Sequence, residues 1–103
     1  MKIIKQIVED IEDELCGAEH YAKMATQYKD TDKQLADNYA RMAQTELGHV
    51  NDLHDHAVRM IEMQKRSGVE VPASMQAVWD WEHGKHVDTA ARVRSLLAVY
   101  RGE

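Results

Sequence analysis

Tyr28-Lys29-Asp30-Thr31-Asp32-Lys33-Gln34-Leu35 decides the fold, because one apolar pattern of helical period ends on its first residue and another begins on its last. Thr31 and Gln34, three residues apart, spell a capping box and predict that a helix opens near Asp32. Upstream, Ile4, Ile7, Ile11, Ala18, Tyr21, Ala25 and Tyr28 alternate steps of three and four with one interruption, which predicts a helix over 3–29 with a heptad-like seam. Downstream, Leu35, Tyr39, Met42, Leu53, Met60 and Met63 predict a second helix over 32–66. Its end is marked by the basic turn Lys65-Arg66 and the stop at Gly68. At about 1.5 Å per residue this helix spans about 50 Å. After a connector holding the lone proline, Pro72, residues 73–101 carry Met75, Trp79, Val93, Leu97 and Tyr100 on one face of a third helix. No strand pattern competes. The expected architecture is all-α: a long antiparallel helical hairpin plus a third helix.

Composition narrows the function. With 103 residues, 44% hydrophobic and 30% charged, the chain supplies one core and is expected to be a single domain over 1–103. Thirteen basic and eighteen acidic residues give a net charge of −5, and no Lys/Arg stripe forms, so nucleic acid is not an expected partner. No apolar run approaches the ~18 residues of a membrane span, and Met1-Lys2-Ile3-Ile4-Lys5-Gln6 breaks into charge too early for a signal peptide. The expectation is a soluble, unexported protein with no membrane partner. A single cysteine, Cys16, fits a reducing compartment, the cytoplasm, and reads as inert. The acidic run Glu9-Asp10-Ile11-Glu12-Asp13-Glu14 reads as a solvated face for all but Glu14.

Glu14 differs because it stands three residues after Ile11 and four before Ala18, inside the apolar stripe. On the second helix the same count sets Glu46, His49 and His56 into the seam. Glu46-Leu47-Gly48-His49 is a Glu-x-x-His pair whose i, i+3 spacing projects a carboxylate and an imidazole from one face. In a chain of this composition about 0.5 such pairs arise by chance, so context must decide. Glu14 lies about 15 residues before the turn and Glu46 about 15 after it, which sets them level in an antiparallel hairpin. Buried carboxylates without partners cost several kcal/mol each, and a divalent cation tolerates several at once. One hairpin supplies half of a two-ion site. Two chains supply two Glu14, two Glu46 and two His49, whose four negative charges balance two divalent ions, so a homodimer is expected.

Glu14-x-x-Gly17-x-x-x-Tyr21 followed by Ala43-x-x-Glu46-x-x-His49 resembles the metal-binding helix pair of ferritin-like proteins, particularly rubrerythrins and two-helix encapsulated ferritins. The resemblance covers roughly residues 7–60. It implies a di-iron centre held by Glu14, Glu46 and His49, with Tyr21 as a near neighbour, and Fe(II) oxidation by O₂ or peroxide, as a ferroxidase or di-iron oxidoreductase. Within these residues no second helix pair or second Glu-x-x-His follows, so a symmetry mate would complete a ferritin-like four-helix bundle. Carboxylate-rich sites also accept Mn²⁺ and Zn²⁺. The last residues, Val99-Tyr100-Arg101-Gly102-Glu103, show nothing like an encapsulation tag.

Other polar residues stay open. Glu82 and His86, four apart on the third helix, read as extra ligands, as partners orienting His56, as a separate cation site, or as solvated edge residues. His56 reads as a further ligand or as a hydrogen-bonded core histidine; His20, His54 and His83 fall off the seams and are expected at the surface. Tyr21 and Tyr39 would relay electrons, hydrogen-bond a ligand, or simply fill the core. Gly17, Gly48 and Gly84 each cost about 1 kcal/mol in a helix, against either room for ligands or tight packing. The methionines read as core filler. The competing function is a metal-free structural or adaptor module in which Glu14, Glu46 and His49 form a buried polar layer that sets oligomer register.

Overall fold

A computed structural model describes residues 2–103. The protein is all-α: α1 (Lys2–Tyr28), α2 (Lys33–Arg66) and α3 (Ala73–Arg101), with no strand among the described residues. Each helix bound lies within one residue of its sequence-derived position. At the start of α2 the difference has a cause. The amides of Thr31 and Asp32 both donate to the Tyr28 carbonyl, at 3.1 and 2.9 Å, which ties Thr31 into the closing turn of α1. Asp32 is left in extended backbone (φ −150°, ψ 92°), and its carboxylate accepts from the Leu35 amide at 3.0 Å. Asp32 is therefore the cap, and the expected Thr31–Gln34 box is replaced by it. Helices α2 and α3 both end before glycines in the left-handed region, Gly68 (φ 80°) and Gly102 (φ 79°), where a Cβ would be strained.

Side chains at matching distances from the α1–α2 joint meet. Tyr21 and Tyr28 stack on Tyr39, with ring centroids 5.9 and 6.2 Å apart, and farther from the joint Glu14 meets His49. Helix α3 returns along α1 and runs in its direction. Glu12 faces His86, Arg92 grips Glu19 with two hydrogen bonds (3.2 and 3.4 Å), and Lys29 lies 5.5 Å over the Tyr100 ring. The Tyr100 hydroxyl donates to Asp37, which fastens the end of α3 to the start of α2. The result is a rod 56 Å long and about 20 Å across.

The buried stripe is displaced from the expected one. On α2 it runs through Ala36, Ala40, Ala43, Leu47, Val50, Ala57 and Ile61, one position beyond the Leu35–Tyr39–Met42 reading. Leu35 and Met63 are exposed, while Tyr39, Met42, Leu53 and Met60 are only half-buried. On α1 the expected Ile4, Ile7, Ile11, Ala18 and Ala25 are buried, joined by Leu15 and Ala22, whereas Tyr21 and Tyr28 are half-buried. Small alanines occupy the line of closest helix contact, and the larger side chains flank it. On α3, Trp79, Val93, Leu97 and Tyr100 are buried as expected, together with His86 and Ala90.

Two measurements check this arrangement. Gly84 is exposed, and a Cβ there would meet nothing within 4 Å, so Gly84→Ala should stabilise the protein by about 0.5–1 kcal/mol in urea denaturation. The two Arg92 hydrogen bonds hold the Glu19 carboxyl below its ordinary range. A depressed carboxyl pKa contributes stability that is present above about pH 4.5 and lost as pH falls through the folded value. Glu19→Gln should flatten that acid limb, by less than about 1 kcal/mol because the pair is partly solvated.

Candidate metal centre

Residues two apart on a helix point about 200° away from each other. Glu12 and Glu19, one heptad apart, face α3; Glu14 therefore faces the opposite side of α1, which α3 leaves open. On that side the donor atoms of Glu14, Glu46 and His49 all lie within 4.8 Å of one another. His49 Nδ1 is 3.3 Å from Glu14 Oε2. The Glu46 carboxylate lies over α1 where that helix has no side chain: a Cβ on Gly17 would stand 3.6 Å from Glu46 Oε2. Gly17 thus marks a close approach, whereas Gly48 and Gly84 face open space.

The three groups are not core residues of the single chain, as the apolar counting had them. Glu14 and Glu46 are half-buried, and the His49 side chain is 50% exposed. The reason is the one-position displacement of the contact stripe, which buries Leu15, Leu47 and Val50 and leaves their neighbours at its edge. The two carboxylates repel each other as anions, and together with the imidazole they suit a divalent cation. Such a set supplies three ligands and leaves positions open.

Glu82 and His86 do not join this group. They meet Glu12 across the α1–α3 contact, with donor atoms again within 4.8 Å of one another. His86 Nε2 stands 3.8 Å from Glu12 Oε1 and 3.9 Å from Glu82 Oε2, and Lys85 Nζ is 3.5 Å from the same Glu82 oxygen. Burial holds the His86 imidazole below its ordinary pKa. Between the carboxyls, the hydrogen bond they share raises Glu12 and lowers Glu82. Glu12 is exposed, as expected of the acidic run, and its carboxylate also reaches His86 across the α1–α3 contact.

His56 joins neither group: it is exposed, with Nδ1 3.3 Å from Arg59 Nη2 on its own helix. His20 is exposed as expected. His54 and His83 are instead half-buried, stacked on each other (4.7 Å between centroids) and on Trp79 (5.9 and 5.8 Å), because α3 brings an indole against the α2 imidazole. Tyr21 lies one heptad from Glu14, about 10 Å along the axis, in the stack with Tyr39. Cys16 is exposed and free. No helix among the described residues is long and apolar enough to cross a membrane. No family model, no curated protein and no solved structure matches this chain.

The geometry predicts opposite effects of one substitution. Two carboxylates within 4.8 Å repel by about 1 kcal/mol or more when solvated. Glu46→Gln should therefore raise the melting temperature of chelator-treated protein, and it should remove part of the gain that wild type shows when a divalent cation is added, as read by calorimetry.

Proposed function

We propose that this is a ferritin-like metal-binding protein in which two copies of the chain place their open α1–α2 faces together and hold iron between them. Each copy contributes Glu14, Glu46 and His49, and the protein oxidises Fe(II) with O₂ or peroxide. In this reading α1 and α2 are the antiparallel pair, two pairs make a four-helix bundle, and α3 lies outside it. The observation that carries the proposal is the convergence of two carboxylates and an imidazole on the face that α3 leaves uncovered.

Two further features support it. The half-buried residues Tyr21, Tyr28, Tyr39, Met42, Leu53 and Met60 border the same face, as a stripe awaiting a second copy would. One chain's two carboxylates match one divalent ion, and the pair of chains matches two. Bound Fe(II) supplies the electrons that reduce O₂ or peroxide. The chain's own groups do the rest: Glu14 and Glu46 neutralise the ions, His49 offers a neutral nitrogen, and the tyrosine stack lies one heptad away as a source of oxidisable rings. The half-exposed His49 keeps the site reachable from water. Mn²⁺ and Zn²⁺ suit the same donors.

Anaerobic Fe(II) titration of apo-protein, followed by air, tests binding and chemistry together through the near-ultraviolet ferric absorbance. Wild type, with the native mass of a dimer, should take up about one oxidisable iron per chain at this face, and Glu46→Ala should lose that iron together with its oxidation. Full binding by Glu46→Ala overturns the assignment. Absence of saturable binding in both proteins would favour a metal-free module whose polar layer sets register.

A further inference from the structure

We infer that Glu12, Glu82 and His86 form a second, separate site, which binds a single divalent transition cation such as Zn²⁺ and pins α3 to α1. The inference is independent of the open-face reading, because Glu12 and Glu14 project from opposite sides of α1.

The decisive group is His86. Its side chain is only 7% exposed, and its Nε2 has no hydrogen-bond partner. Glu82 Oε2, on a side chain 14% exposed, likewise makes no hydrogen bond, its nearest cation being Lys85 Nζ at 3.5 Å. Buried polar atoms are almost always satisfied, and an orphan is destabilising. A proton does not resolve the pair. If Nε2 carries hydrogen, its acceptors at 3.8 and 3.9 Å are beyond hydrogen-bond range; if it carries the lone pair, it is aimed at two carboxylates. A cation between the three satisfies every atom at once.

Geometry and charge agree. A tetrahedral Zn²⁺ with bonds near 2.0–2.1 Å holds its ligand atoms about 3.3 Å apart, so the two His86 spacings of 3.8 and 3.9 Å need to close by only about half an ångström. Glu82 and His86 are four apart on α3 and project from one face, which fixes two ligands on a single helix. Glu12, 46% exposed, is the third ligand, on the solvent side. The group's two carboxylates neutralise a divalent ion, the imidazole adds a neutral ligand, and three protein ligands leave one position for water. Lys85, 51% exposed, lies against Glu82 and is free to swing into solvent when the ion arrives.

The test uses chelator-treated full-length chain carrying Glu46→Gln, so that the open-face group is impaired, and titrates it with Co²⁺, read by visible d–d absorption, and with Zn²⁺, read by calorimetry. One ion per chain should bind saturably. Adding Glu12→Gln, a change at a partly exposed position, should weaken binding at least about tenfold, since loss of a ligand exceeds the loss of an outer partner. Adding His86→Gln should abolish it. In wild type, Zn²⁺ should shift the His86 Nε2 resonance and raise the melting temperature, and both effects should shrink in Glu12→Gln. Unchanged binding in the Glu12→Gln protein, or a His86 resonance that ignores Zn²⁺, overturns the inference. Failure of iron oxidation at Glu46 leaves these outcomes unaffected, so the two readings fail separately.

Discussion

Close contact between the alanine-lined faces of α1 and α2 is the constraint on which the rest of the structure depends. Ala18, Ala22 and Ala25 on one helix and Ala36, Ala40 and Ala43 on the other are almost wholly buried near the joint, and they leave little between the two backbones. That approach lets the Glu46 carboxylate lie over Gly17 and lets Glu14 reach His49. Larger residues in this line would overpack it and push the helices apart. Farther from the joint, Ile4, Ile7, Ile11, Val50 and Ile61 are buried, at about 1.5–3 kcal/mol for a fully buried side chain of that size.

The second organising fact is that α1 presents chemistry on two sides. Toward α3 it offers Glu12 and Glu19, which meet a buried imidazole and an arginine. Away from α3 it offers Glu14 and Tyr21, which meet Glu46, His49 and Tyr39. The open side is reachable from water at His49, while on the α3 side the His86 imidazole is buried and Glu12 and the Glu19–Arg92 pair lie toward solvent. A 200° separation over two residues therefore divides one acidic run into two sites with different partners and different solvent access.

Residue by residue, the helices were legible and the burial was less so. Ile4, Ile7 and Ile11 mark both the period and the phase of α1, because they are large, apolar and central. On α2 the period is right and the phase is off by one, since Leu35, Met42 and Met60 outweigh alanines in any hydropathy count although alanines make the contact. That displacement turned Glu46 and His49 from expected core residues into edge residues, and on α1 Leu15 takes the buried place expected of Glu14, while all three groups still lie on one face. His54 and His83 were misplaced because nothing local announces that Trp79 will stack against them.

The sequence by itself determined three helices, their bounds and the joint between the first two. These follow from apolar period, capping groups and glycine stops, all of which act within a few residues. Tertiary structure alone decided where α3 lies, and with it that Glu12 belongs with Glu82 and His86, while Glu14 belongs with Glu46 and His49. That choice depends on which face of α1 is covered. Which face is covered depends on the fit of side chains against a neighbouring helix, and such a fit exists only once the helices are together.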